Sequence, residues 1–213
     1  MLSCKSKEHG DTIINTGLGE IHLTNREAEN DFNKGLFYIR QENYSAAKHF
    51  FLMADEESPN TPVILNAIGN SMERVGDTVQ GLTYFKKAMR IDSNFFKTYV
   101  NYGCALNNCR RYDEAEEIFR IGLSKRSLPP FDRTLLYLNL ADSYYSRGQN
   151  DNAIALLDSA KMGLTNRSFY NKIDQFENRV KREAHWPRDT SRPNPTKWGA
   201  TEILHKRQKS TAK

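Results

Sequence analysis

Small and bulky side chains recur in register along this chain, and no other feature constrains its fold as tightly. Gly35, Gly69, Gly103 and Ala141 are spaced by 34, 34 and 38 residues. Three residues after each stands a large apolar side chain: Tyr38, Met72, Leu106 and Tyr144. Twelve residues after each comes another small one: Ala47, Gly81, Ala115 and Ala153. Phe51, Phe85, Phe119 and Leu157 follow four further on, and Ala54, Ala88, Gly122 and Ala160 three beyond those. A period of this length marks a stacked repeat, in which no single unit can bury its apolar face alone. Each segment holds two helical patterns. Facing small residues let two backbones approach, and the large residues at helical spacing fill the space beside that contact. Glu42-Asn43, Gly76-Asp77, Arg110-Arg111 and Gly148-Gln149 separate the two helices of each segment. Thr24 with Glu27, and Asp77 with Gln80, read as capping boxes. Thr61-Pro62 reads as an N-cap followed by proline at the first helical position.

A helix–turn–helix unit of this length, with small, aromatic and proline columns, resembles the tetratricopeptide repeat. Pro59 stands where that family's closing proline falls, and Arg111-Tyr112-Asp113-Glu114-Ala115-Glu116 resembles its turn and second-helix start. The chain departs from the pattern in two columns. The leading tryptophan is replaced by Asp31, Leu65, Tyr99 and Tyr137, and the later prolines by Ser93, Ser127 and Thr165. Four extra residues near Leu128-Pro129-Pro130 imply a longer loop. The resemblance runs from Glu27 to Thr165 and implies an all-α, right-handed α-solenoid of four helix pairs. A stack of pairs needs its last apolar face covered. Phe169, Ile173, Phe176 and Val180 form one helical stripe within Ser168–Ala184, which reads as the C-terminal capping helix. The expected organisation is therefore an irregular segment over 1–24, a repeat domain with its cap over 25–184, and a basic tail containing Pro and Trp over 185–213.

In the resembled family the first helix of each pair lines a concave surface that holds an extended peptide or a partner helix. At about 100° per residue, Val63, Asn66, Asn70 and Arg74 share one stripe facing that surface. The corresponding stripes are Glu29, Phe32, Leu36 and Arg40; Lys97, Val100, Cys104 and Asn108; and Leu135, Leu138, Asp142 and Ser146, with Asn101 and Asn139 at the edge. Asparagine amides both donate to and accept from a peptide backbone. The expected groove is thus Phe32, Leu36, Val63, Val100 and Leu138 for apolar contact, with Asn66, Asn70, Asn101, Asn108 and Asn139 for backbone hydrogen bonds, flanked by Arg74 and Lys97. One subfamily grips the acidic tails of chaperones with a cationic clamp. Asn70 and Asn101 match its asparagines, but Asn66, Leu135 and Asn139 stand where its cations belong, so no such clamp is expected: a desolvated carboxylate without a cation is costly.

Catalytic, cofactor and metal sites are not expected. The chain has five histidines, none at ligand spacing from another His or Cys. It lacks a G-x-x-x-x-G-K-[ST] loop and a G-x-S-x-G elbow, and Gly17-Leu18-Gly19 lacks the third glycine of a dinucleotide fingerprint. Cys104 and Cys109 are five apart on one helix and cannot pair with each other. The leading reading is a non-catalytic protein-interaction adaptor with a protein or peptide ligand. Residues 181–213 hold nine basic and three acidic residues. An alternative is therefore a binder of nucleic acid or another acidic surface through that tail, although no basic stripe runs along a folded element. Trp186 and Trp198 make 196–204 a candidate docking peptide for the molecule's own groove or a neighbour's. No apolar run reaches the roughly 20 residues of a membrane span, and the sequence as written shows no secretion signal, so it reads as cytoplasmic by default. Leu2-Ser3-Cys4 resembles a bacterial lipoprotein processing site, so a second alternative is an envelope adaptor anchored through Cys4, should the true start lie upstream.

Overall fold

A computed structural model describes residues 12–15, 20–23, 25–162, 164 and 166–183. Among them are two strands, β1 (Thr12–Asn15) and β2 (Glu20–Leu23), and nine helices. The helices are α1 (Arg26–Arg40), α2 (Tyr44–Glu57), α3 (Pro62–Val75), α4 (Thr78–Ile91), α5 (Phe96–Asn108), α6 (Tyr112–Leu123), α7 (Pro130–Ser146), α8 (Asn150–Lys161) and α9 (Arg167–Glu183). Two compact units divide the chain, unit 1 to Ile91 and unit 2 from Asp92. Unit 1 holds the hairpin and two helix pairs. Unit 2 holds two helix pairs and α9.

The columns read from the sequence are the contacts within each pair. A Cβ added to Gly35 would stand 2.4 Å from Phe51 Cε1, one added to Gly69 2.8 Å from Phe85, and one added to Gly103 2.2 Å from Phe119. The fourth pair solves the same problem differently: Ala141 replaces glycine and Leu157 replaces phenylalanine, and both are fully buried. Added volume on one helix goes with reduced volume on the other, as close packing requires.

The turn inside every pair is built alike. Glu42, Gly76, Arg110 and Gly148 occupy one repeat position and all have left-handed backbones, at φ 58°, 95°, 59° and 82°. The next residue then donates its N–H to the carbonyl of the large residue three after the first small one: Asn43 to Tyr38, Asp77 to Met72, Arg111 to Leu106 and Gln149 to Tyr144, at 2.9–3.0 Å. This is the Schellman closure, which satisfies a carbonyl left over at the helix end. A residue that fills the core with its side chain therefore also ends its helix with its carbonyl.

Within unit 1, α3 packs on α2 and α4. Its face toward the preceding pair is buried Ile64, Ile68 and Ser71. The matching positions on α1 are Asn30, Lys34 and Phe37, all exposed. Polar residues such as Asn30 and Lys34 on an outer face are what a terminal repeat needs. Within unit 2, the expected stripe of α9 is buried at Phe169, Ile173, Phe176 and Val180, and α9 packs on α8. Glu177 lies under that contact, taking hydrogen bonds from Lys161 of α8 and Lys181 of its own helix.

Three expectations are corrected. The segment expected to be irregular contains an antiparallel hairpin, with Thr12 opposite Leu23 and Asn15 opposite Glu20. The first helix is capped by Asn25, whose Oδ1 accepts from Glu27 N at 2.8 Å, while Thr24 lies outside the described residues. Thr61 does sit at the N-cap of α3, but its hydroxyl donates to the Ser58 carbonyl at 2.9 Å and leaves the helix N–H groups alone. Cys4, Thr165 and the tail from 184, with Trp186 and Trp198, also lie outside the described residues.

Candidate binding faces

The first helices of the pairs present one pattern in both units. Along α1, α3 and α5, the predicted stripe is buried or half-buried in its first half and exposed at its last residue, whereas on α7 it stays half-buried from Leu138 to Ser146. On α3, Val63 and Asn66 are buried, Asn70 is half-buried and Arg74 is exposed. On α5, Lys97 is half-buried, Val100 is buried, Cys104 is half-buried and Asn108 is exposed. On α1, Leu36 is half-buried and Arg40 exposed. The open side chains thus stand near the helix C-termini, where carbonyl ends favour cations such as Arg40 and Arg74. Arg74 is held in place: its guanidinium lies 4.5 Å from the Tyr44 ring, and its Nη2 donates to the Tyr44 hydroxyl at 2.8 Å.

Two predicted groove residues do other work. Phe32 is fully buried, with its ring centroid 5.2 Å from that of Phe51, so it belongs to the core of the first pair. Asn139 is 5% exposed, and both ends of its amide are engaged. Its Nδ2 donates to the Leu135 carbonyl at 2.7 Å, and its Oδ1 accepts from Cys104 Sγ at 2.9 Å. Asn107 adds a bond from its own amide to the Asn139 carbonyl at 3.3 Å. Asn139 is a tie between α5 and α7 rather than a rung for a ligand backbone. Val63, Asn66 and Val100 form the closed floor of their faces. Leu36, Asn70, Arg74, Lys97, Asn101, Asn108 and Leu138 keep partial or full exposure.

Sequence reasoning missed two features of the unit 2 face. Asp132 opposes Lys97 across α7 and α5. Burial pulls the Lys97 ammonium below the usual lysine range, with Asp132 drawing it back. Burial likewise pushes the Asp132 carboxyl above its ordinary value, against the pull of Lys97. Asp132 lies in the first turn of α7, beside the four extra residues and outside the repeat columns, and so carried no positional signal. The second feature is a pocket shared by Leu138, Asn139 and Asp142 of α7 with Phe169, Lys172, Ile173 and Phe176 of α9. The cap was legible as a lid; its contribution to a binding face was not. Among the described residues, no group of three or more His, Cys, Asp and Glu is placed to hold a metal ion. No described helix is long and apolar enough to cross a membrane.

Helix pairs that repeat one packing scheme and one turn define an α-helical repeat protein. Comparison with known proteins matches one repeat and the fold. A family model described as tetratricopeptide repeat matches residues 84–117. Solved structures share the fold. They include PilW, a type IV pilus biogenesis factor, at TM-score 0.65 and 18% identity over 75% of this chain and 71% of that one. MamA of Desulfovibrio magneticus RS-1 superimposes at TM-score 0.59 and 17% identity over 88% of this chain and 98% of that one. YrrB, described as a TPR protein with an unusual peptide-binding site, does so at 0.55 and 19% over 70% and 74%. A stretch of 56 residues is 34% identical to the protein O-mannosyl-transferase Tmtc3 of Drosophila melanogaster, covering 26% of this chain and 6% of that protein. One stretch of this chain, residues 84–117, matches the tetratricopeptide repeat, and the fold is the one it shares with those solved structures.

Proposed function

We propose that the chain is a non-catalytic adaptor that holds an extended peptide or a helix against the first-helix faces of its repeats. The observation that carries this reading is the graded stripe of α1, α3 and α5, with a closed floor in the first half of the helix and an open polar side chain at its end. A ligand backbone lying on such a face meets Asn70 or Asn108, whose amides can donate and accept, beside Leu36 or Leu138 for its side chains. Arg74, pinned by Tyr44, offers a cation whose ordering cost is already met. The peptide-binding site described for YrrB, on the same fold, supports the reading.

Selection of displayed random peptides on the full chain provides ligands for the test. Asn70→Ala combined with Arg74→Ala should weaken a unit 1 ligand about tenfold, the worth of one or two hydrogen bonds. Helix content should not change, because Asn70 and Arg74 are at least partly open. Unchanged affinity for every selected peptide would move the site off these faces.

A further inference from the structure

Two arginines of unit 1 meet at the open end of its first-helix face. Arg40 closes α1, and Arg74 stands at the same repeat position in the last turn of α3. Both are exposed. The Tyr44 contact ties Arg74 to the neighbouring pair, because Tyr44 opens α2 just past the turn that follows Arg40. The Arg74 guanidinium is thereby drawn toward the end of α1. The Tyr44 hydroxyl takes one of its N–H donors at 2.8 Å, and the remaining fork suits an acceptor that can take two at once, a carboxylate. Among the described residues, neither arginine has a carboxylate partner.

The helix ends do not demand these cations. Carbonyl ends favour positive charge, yet α5 and α7 carry neutral Asn108 and Ser146 at the same position. Nor do the nearby acids of unit 1 neutralise them. Asp77 is engaged by Lys48, and Asp31 by Lys34. Glu29 lies about three turns back along α1 from Arg40, and Glu73 is turned about 100° from Arg74 around α3. Glu42, exposed in the turn after α1, makes no ion pair with either arginine. These positions are not those of the chaperone-tail clamp, whose cations would fall at Asn66, Leu135 and Asn139. The face is thus a closed floor with a cationic rim, and its charge is complementary to acidic side chains.

We propose that the ligand of the unit 1 face is an acidic peptide, with Arg40 and Arg74 donating to the carboxylates of two Asp or Glu side chains. Residues two apart in an extended peptide point the same way, so a strand crossing the ends of α1 and α3 offers one carboxylate to each guanidinium. This rests on the adaptor reading. Decapeptides selected by display on the full chain supply the probes, and those that Asn70→Ala weakens are the unit 1 ligands. Their sequences should be enriched in pairs of Asp or Glu. Arg40→Gln and Arg74→Gln should each weaken their binding about tenfold, with far-UV circular dichroism unchanged. Arg40→Glu combined with Arg74→Glu should reject the acidic peptides and accept the same peptides synthesised with Lys in place of the acids. Unit 1 ligands without acidic residues, or acidic peptides indifferent to both single variants, overturn the proposal and leave the adaptor reading standing. Failure to select any peptide overturns both.

Discussion

At one repeat position unit 1 carries Lys48 and unit 2 carries Glu116, and the two units join their helix pairs with opposite polarity. Lys48 reaches Asp77 at 2.7 Å in a pair that is largely open to water. Glu116 is met by Arg147 at 2.6 Å and Arg120 at 2.9 Å, and accepts from the Tyr144 hydroxyl. Arg147 also reaches Asp113 at 2.7 Å. A second such cluster, Glu177 with Lys161 and Lys181, fastens the cap. The second pair of unit 1 relies instead on backbone proximity: a Cβ on Gly81 would stand 2.8 Å from the Gly69 carbonyl oxygen. The other three pairs carry alanine at that position, Ala47, Ala115 and Ala153. One backbone plan is thus drawn together by close apposition in the second pair of unit 1, and by the half-buried Glu116 and the buried Glu177 in unit 2.

The largest effect should come from removing a buried carboxylate. Glu177→Gln leaves Lys161, whose side chain is 13% exposed, with Asp174 as its remaining ion-pair partner. The loss should be about 2–3 kcal/mol, below the full range for a buried pair because Asp174 remains. Segment-resolved hydrogen exchange should locate it in α8 and α9. Unit 1 has its own weak point. Gly81→Ala should destabilise α3 and α4 by about 2 kcal/mol, because the obstacle is backbone and cannot rotate away. Urea unfolding measures this, and a change near zero would erase the contrast drawn between the units.

Acid should separate the units next. Burial alone would raise the Glu116 and Glu177 carboxyls, but hydrogen bonds hold both below the usual glutamate range: Tyr144, Arg120 and Arg147 on Glu116, Lys161 and Lys181 on Glu177. A carboxyl depressed in the folded state stabilises fully above its unfolded value, and the gain is lost as pH falls through the folded one. Exchange protection in α6 to α9 should therefore fall below about pH 4.5, beyond whatever α1 to α4 lose. A smaller effect is expected from Asp77→Asn, under about 1 kcal/mol because the pair is exposed. Smallest is a gain: Arg110→Gly relieves a left-handed residue that carries a Cβ and should stabilise α5 and α6 by up to about 1 kcal/mol. The second turn of each unit already has glycine, Gly76 or Gly148.

The helix pairs were legible because their packing is local. Gly35 and Phe51, or Gly103 and Phe119, meet within one segment, so periodicity alone locates them. The left-handed turn was legible at Gly76 and Gly148. At Glu42 and Arg110 only the repeat register indicated it. The faces were harder to read. A helical wheel places Phe32 on the stripe with Leu36, but it does not show that an aromatic near the helix start turns inward onto Phe51. Asn139 looked like a free amide because its partners, Cys104 and Asn107, come from a different helix. Strands of four residues, with few side chains to alternate, left no pattern from which to read the hairpin. The missing proline and tryptophan columns are partly reconciled by one contact, in which the Tyr99 hydroxyl donates to the Ser93 carbonyl at 3.0 Å.

The alanine–leucine exchange of the fourth pair has an evolutionary consequence. When a methyl group gained at 141 is answered by a ring given up at 157, the adjustment closes inside one hairpin and asks nothing of the others. Duplicating such a stretch of coding sequence would carry its own complementary shapes along with it. Copies could then drift apart one at a time, each free to acquire a new surface while the scheme that folds it stays intact.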